Sequence, residues 1–155
     1  FVDGTNSYAH VAVVVQKVTS GSTQYYVYVN GSRIDMNFIG NGDDDVTDTE
    51  HAAFDSGGLE VSMGALNDDG VRGKFYDGVL DEVSIFEAAL NSRTVAELYN
   101  LGNPSDLTSD SDLLMYYRFE DNTTPTTAVD TADNHNGTPE GATFNTSQSQ
   151  AKRQY

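Results

Sequence analysis

Gly73-Lys74-Phe75-Tyr76-Asp77-Gly78-Val79-Leu80-Asp81-Glu82-Val83-Ser84-Ile85-Phe86-Glu87-Ala88-Ala89-Leu90-Asn91-Ser92-Arg93-Thr94-Val95-Ala96-Glu97-Leu98-Tyr99 reads as a turn, a strand and a short capped helix. By the two-residue period of a strand, Val79, Asp81, Val83 and Ile85 share one face, so a carboxylate interrupts an apolar row. Burying an unpaired charge costs more than one strand position returns. Asp81 is therefore expected to meet a metal ion, a cation or several backbone N–H groups. Glu82 falls on the opposite face, as a surface or salt-bridge residue. Asn91 or Ser92 is positioned to cap the helix, Val95, Leu98 and Tyr99 fall on one helical face, and Gly102 with Pro104 ends it. The expected helix, near residues 92–101, is a lid on a sheet edge.

The composition around this stretch favours an all-β chain. Among 155 residues, Tyr, Val, Thr, Gly, Asn and Asp are plentiful, and long helical runs of Ala, Leu, Glu and Lys are scarce. The formal charge of −16, with only eight Lys and Arg, argues against nucleic acid and against anionic membranes, which need clustered basic residues. Such a charge fits a solvated, salt-tolerant surface or one that collects Ca²⁺. With no cysteine, thiol chemistry, Cys-based zinc sites and disulfides are excluded. The first residue is Phe, and neither a signal peptide nor a membrane-spanning run is present, which reads as a processed or excised piece of something longer.

Upstream, residues 10–15 are apolar on both faces and are expected to form a central strand of a packed sheet. Tyr25-Tyr26-Val27-Tyr28-Val29 is a second strand, closed by Asn30-Gly31, a strong hairpin signal, with a weaker strand over 33–38. Residues 41–50 form an acidic segment without EF-hand order, read as a solvated loop in preference to an ion site. Residues 59–64 alternate as a further strand, and 67–70 read as a loop. Downstream, 103–112 is a linker or long loop, 113–120 a strand, 130–137 a polar turn and 138–144 a short strand.

The order of His10-Val11-Ala12-Val13, Tyr26-Val27-Tyr28-Val29-Asn30-Gly31, Leu59-Glu60-Val61-Ser62-Met63-Gly64, Phe75-Tyr76-Asp77-Gly78-Val79-Leu80-Asp81-Glu82-Val83 and Glu97-Leu98-Tyr99 resembles the second half of a laminin G-like domain. That family belongs to the concanavalin A-like jelly rolls, together with the pentraxins. Residues 113–144, with Tyr117-Arg118-Phe119-Glu120 and Asp130-Thr131-Ala132-Asp133-Asn134-His135-Asn136-Gly137, resemble the opening of such a domain. The halves thus stand in permuted order, and the Trp-centred strand that normally joins them is missing, since the chain has no Trp.

The resemblance implies an antiparallel β-sandwich. Residues 1–102 supply the second half of a jelly roll, 103–112 the linker, and 113–155 the opening strands of the same or a neighbouring domain. Three arrangements follow: a window cut from an array, a fold-back within one chain, or strand donation to the next copy. Domains of this kind often bind Ca²⁺ at a sandwich edge, which here would gather Asp81, Glu120, Asp121 and Asp130. The alternative for Asp81 is a structural carboxylate held by turn amides. Tyr25, Tyr26 and Tyr28 are candidates for stacking on sugar rings, with core packing as the alternative. His10 is read as a buried, hydrogen-bonded strand residue. No paired-carboxylate spacing, nucleophile elbow, zincin motif or phosphate loop is present, so no enzyme is expected. The expected function is an extracellular adhesion or binding module for a glycan or a cell-surface protein. The alternatives are a self-assembling surface subunit and an accessory domain of a secreted glycosidase.

Overall fold

The computed structural model describes residues 8–17, 23–34, 61–68, 71–119, 126–133 and 135–143. Most of the regular secondary structure among these residues is strand, arranged in antiparallel sheets with one short α-helix. The first sheet has three strands in sequential order, β1 (Val11–Lys17), β2 (Thr23–Val29) and β3 (Ser32–Ile34). β1 and β2 pair along their full length, from Val11 opposite Val29 to Lys17 opposite Thr23. Asn30 and Gly31 connect β2 to β3 with φ of 50° and 75°. Two successive positive φ values match the right-handed twist of flanking strands, which is why an Asn-Gly pair closes this hairpin.

The helix α1 (Ser92–Tyr99) forms the roof of this sheet. Val95 is completely buried and packs with Val14 and Tyr28, and Ala12, Tyr26 and Leu90 surround this cluster. The helix therefore packs on the face of β1 and β2 and also reaches β3, an edge strand of the sheet. Alternation along β1 explains the placement: Ala12 and Val14 point at the helix, while Val11, Val13 and Val15 point away and stay exposed. Full burial of a Val side chain contributes about 1.5 to 3 kcal/mol. This contact is the core of the N-terminal half.

A second pair, β4 (Leu66–Asp68) and β5 (Val71–Gly73), forms a short hairpin. Here the sequence-based expectation of a strand over 59–64 is corrected. Within the described part of that stretch, residues 61–64 form no strand, and Gly64 turns the chain with φ of 76°. The Ser62 hydroxyl, donating to Ala65 O at 2.8 Å, tightens this turn. Pairing begins only beyond it.

The third pair joins distant sequence. β6 (Val83–Phe86) and β7 (Leu113–Tyr117) run antiparallel, from Val83 opposite Tyr117 to Phe86 opposite Leu113, with a bulge between Ile85 and Phe86. Beyond β7, Tyr117 bridges to Asp130 and Ala128 bridges to Gly137, so the C-terminal turn lies against β7. The expected alternation from Val79 to Ile85 starts too early. Glu82 sits at φ of 52°, which breaks the extended backbone, and Val79 and Leu80 are exposed. Residues 138–143 likewise form no strand, and pairing there stops at Gly137. The connection from α1 to β7 is shaped by two Asx turns, with Asp106 Oδ1 accepting from Thr108 N–H and Asp110 Oδ1 from Asp112 N–H, each at 3.0 Å.

Candidate functional site

The end of α1 and the Asn30–Gly31 turn border a shallow, open groove of about 550 Å³, lined by Asn30, Gly31, Ser32, Arg93, Ala96, Glu97, Tyr99, Asn100 and Leu101. Each wall has a local cause. Asn30 fastens the turn to the start of β1, because its side-chain Oδ1 accepts His10 N–H at 3.0 Å and its own N–H donates to His10 O at 2.8 Å. Gly31 allows the Tyr99 ring to approach: a Cβ built on Gly31 would lie 2.9 Å from Tyr99 Cδ1. The His10 ring also neighbours Tyr99, with centroids 5.8 Å apart at 37°. Burial pushes the His10 imidazole below its ordinary pKa, so the ring facing Tyr99 is neutral near pH 7.

On the helix side, Asn91 caps the N-terminus by accepting Thr94 N–H at 3.0 Å. One turn on, Arg93 Nε donates to Glu97 Oε1 at 2.9 Å, an exposed i,i+4 pair along the groove rim. The C-terminus is less regular. Asn100 closes the helix in the left-handed region with φ of 40°, and its N–H donates to Ala96 O. Leu101 follows at φ of 55°, a conformation branched and bulky side chains rarely adopt, and remains 86% exposed. The chain thus holds an apolar side chain outward at Leu101, which lines the same groove as Tyr99, Asn30, Asn100, Arg93 and Glu97.

The sequence candidates lie elsewhere. Tyr28 is 4% exposed beneath α1 and presents no open ring. Tyr26 is half-buried beside it, with the Arg33 guanidinium 4.3 Å from the ring centroid, so one face is taken by a cation–π contact. Tyr25 is half-buried on the opposite side of the sheet, across from Val15. The structure therefore does not bring the three rings together as one surface.

Of the four carboxylates expected around a cation, Glu120 and Asp121 lie outside the described residues. Asp81 is half-buried just before β6, and burial together with its charge raises the pKa of the Tyr8 hydroxyl. Asp130 is buried and held by the chain itself. Its Oδ1 accepts the N–H groups of Tyr116 at 2.8 Å and Ala132 at 3.0 Å, and its Oδ2 accepts His135 N–H at 3.2 Å. Burial alone would raise this pKa, but backbone bonds from Tyr116, Ala132, His135 and Asp133 outweigh it and hold the carboxyl below its ordinary range. His135 Nδ1 adds a contact at 3.4 Å from Oδ2. Among the described residues, no group of three or more His, Cys, Asp or Glu is arranged to hold a metal ion.

Two further residues of this node had no stated role in the sequence. The Tyr116 hydroxyl hydrogen-bonds to the Glu82 carboxylate and lies 3.1 Å from Ser105 O, while the Tyr117 hydroxyl donates to His135 O. Burial, then the bond to Glu82, drives the Tyr116 pKa strongly upward, so this hydroxyl stays protonated. Glu82 is thus a half-buried partner of Tyr116, which joins it to β7, the strand paired with the β6 that it precedes. The groove residues Arg93, Glu97, Tyr99 and Leu101 were readable singly as helix positions. Nothing local in the sequence announces that the Asn30–Gly31 turn meets them.

Comparisons of the chain with protein-family models, curated proteins and solved structures find no match. No helix among the described residues is long and apolar enough to cross a membrane.

Proposed function

We propose that this chain is a non-catalytic, extracellular binding module of β-sandwich type, and that the groove between the Asn30–Gly31 turn and α1 is where it meets a glycan. The observation that carries this reading is the composition of the groove. Tyr99 and the outward-held Leu101 offer apolar surface, and Asn30, Asn100, Arg93 and Glu97 surround it with hydrogen-bond donors and acceptors. Sugars ask for this mixture, because their hydroxyls need directional polar partners while their C–H faces pack on apolar groups. The backbone outlier at Leu101 supports it, since strained conformations cluster where a surface serves a ligand. The antiparallel pairing of all three sheets supports the all-β part of this reading.

The Asp130 carboxylate accepts backbone N–H groups, so the groove and not the Asp130 turn carries this proposal. The reading is tested on a glycan array, with the chain and its Arg93→Ala variant labelled alike. Selective retention of the chain, weakened about tenfold or more in the variant, supports the groove; retention that Arg93→Ala leaves unchanged, or no retention on any glycan, overturns it. Arg93 is a suitable probe because its side chain is 86% exposed and its removal leaves the core intact.

A further inference from the structure

Of the residues that line the groove between the Asn30–Gly31 turn and α1, two are charged, and they are bonded to each other: Arg93 Nε donates to Glu97 Oε1 at 2.9 Å. His10, whose ring neighbours Tyr99, is neutral near pH 7 as well. The groove therefore carries no net charge on a chain whose formal charge is −16. A guanidinium bonded through Nε keeps its Nη donors, and a carboxylate bonded through one oxygen keeps the other as an acceptor. Donors and an acceptor side by side match neighbouring sugar hydroxyls, each of which both donates and accepts. A carboxylate or sulfate asks instead for a guanidinium fork free to pair with it. Here the fork is already engaged, and an anion brought to Arg93 would stand against Glu97 as a like charge.

Resting on the glycan reading above, we infer that the groove takes uncharged glycans and turns away uronates and sulfated sugars, and that Glu97 sets this selectivity by occupying the Arg93 guanidinium. The pair is exposed, Arg93 at 86% and Glu97 at 62%, so its own strength is small and Glu97 acts as a competitor for Arg93, not as a barrier. The acidic chain as a whole adds a repulsion of longer range. Salt separates the two contributions, because ions screen the distant charges and leave a contact between neighbours largely in place. The preference for uncharged sugars therefore narrows as salt rises and keeps a part that depends on Glu97.

The test uses matched oligosaccharides that differ only at C6, glucose against glucuronate, mannose against mannuronate and galactose against galacturonate, with affinities measured for the whole chain at low and at moderate salt. In any pair that the chain binds, the neutral member is expected to bind at least about tenfold more tightly at low salt. Glu97→Gln frees Arg93 and should cut the preference remaining at moderate salt about fivefold. Glu87→Gln, exposed and outside the groove, removes the same charge and should leave that remaining preference unchanged. Uronates bound as tightly as their neutral partners overturn the inference and leave the glycan reading standing, and so does a Glu97→Gln chain whose preference matches that of Glu87→Gln. A chain that binds neither member of any pair overturns the glycan reading, and the inference falls with it.

Discussion

β4–β5 and β6–β7 are both short antiparallel pairs, yet only one of them is built into a core. In β7, Tyr116 is 1% and Tyr117 5% exposed, whereas in the first pair Leu66 is 48% and Val71 72% exposed. Strand propensity does not separate them, since Val and Leu are as suitable for a pleated surface as Tyr. The difference is what lies across each pair. β7 has Glu82 and Ser105 meeting the Tyr116 hydroxyl, and the Asp130 turn hydrogen-bonded along its edge, so the polar groups gathered around Tyr116 satisfy one another. The β4–β5 hairpin is tied by the exposed Arg72–Glu140 pair, an interaction of the kind that contributes little. A buried carboxylate with its amides in place thus organises more chain than two paired strands do.

The sharpest way to break this comparison is to remove Asp130. Asp130→Ala leaves the N–H groups of Tyr116, Ala132 and His135 without their acceptor, and the expected loss is about 3 kcal/mol or more. It is read as a lower midpoint in chemical unfolding. Acid should reproduce part of the effect. The folded-state pKa of Asp130 is depressed, so its stabilisation is complete above the ordinary Asp value of about 3.9 and is lost as pH falls through the lower folded value. A pH series of unfolding midpoints checks this, because Asp130→Ala should show a shallower loss in that window than the unaltered chain.

Gly31→Ala tests the other packed contact. Its φ of 75° and the 2.9 Å approach to Tyr99 Cδ1 each oppose a side chain, so a loss of roughly 1 to 3 kcal/mol is expected by thermal or urea unfolding. The smallest change is at the helix entrance. Asn91→Ala removes the cap on Thr94 N–H and should cost about 1 kcal/mol, visible as reduced helical ellipticity with the β-signal retained.

Legibility in the sequence followed the range of the interactions involved. The Asn30–Gly31 hairpin, the cap at Asn91 and the inward face of α1 through Val95 rest on neighbours a few residues apart, and each was readable. A chain of antiparallel strands with one short helix follows from the same signals. What failed were boundaries set by a single backbone outlier: Glu82 at φ of 52° ends the alternation that Asp81 seemed to interrupt, and Gly64 delays the strand expected over 59–64. The candidate groove was illegible for a different reason. Tyr99 and Gly31 are 68 positions apart, and only their close approach makes a site of them. Asp130, grouped in the sequence with three other carboxylates as a Ca²⁺ ligand, meets backbone amides; amide donors leave no residue-type pattern to read.

Amide hydrogen exchange tests the contrast between the two strand pairs most directly. The amides of Tyr116, Ala132 and His135, all donating to Asp130, should exchange on the order of 100-fold more slowly than those of β5, because opening them requires dismantling the buried node. Equal protection in the two regions, or slower exchange in β5, would contradict the claim that Asp130 and its amides hold this half of the chain together.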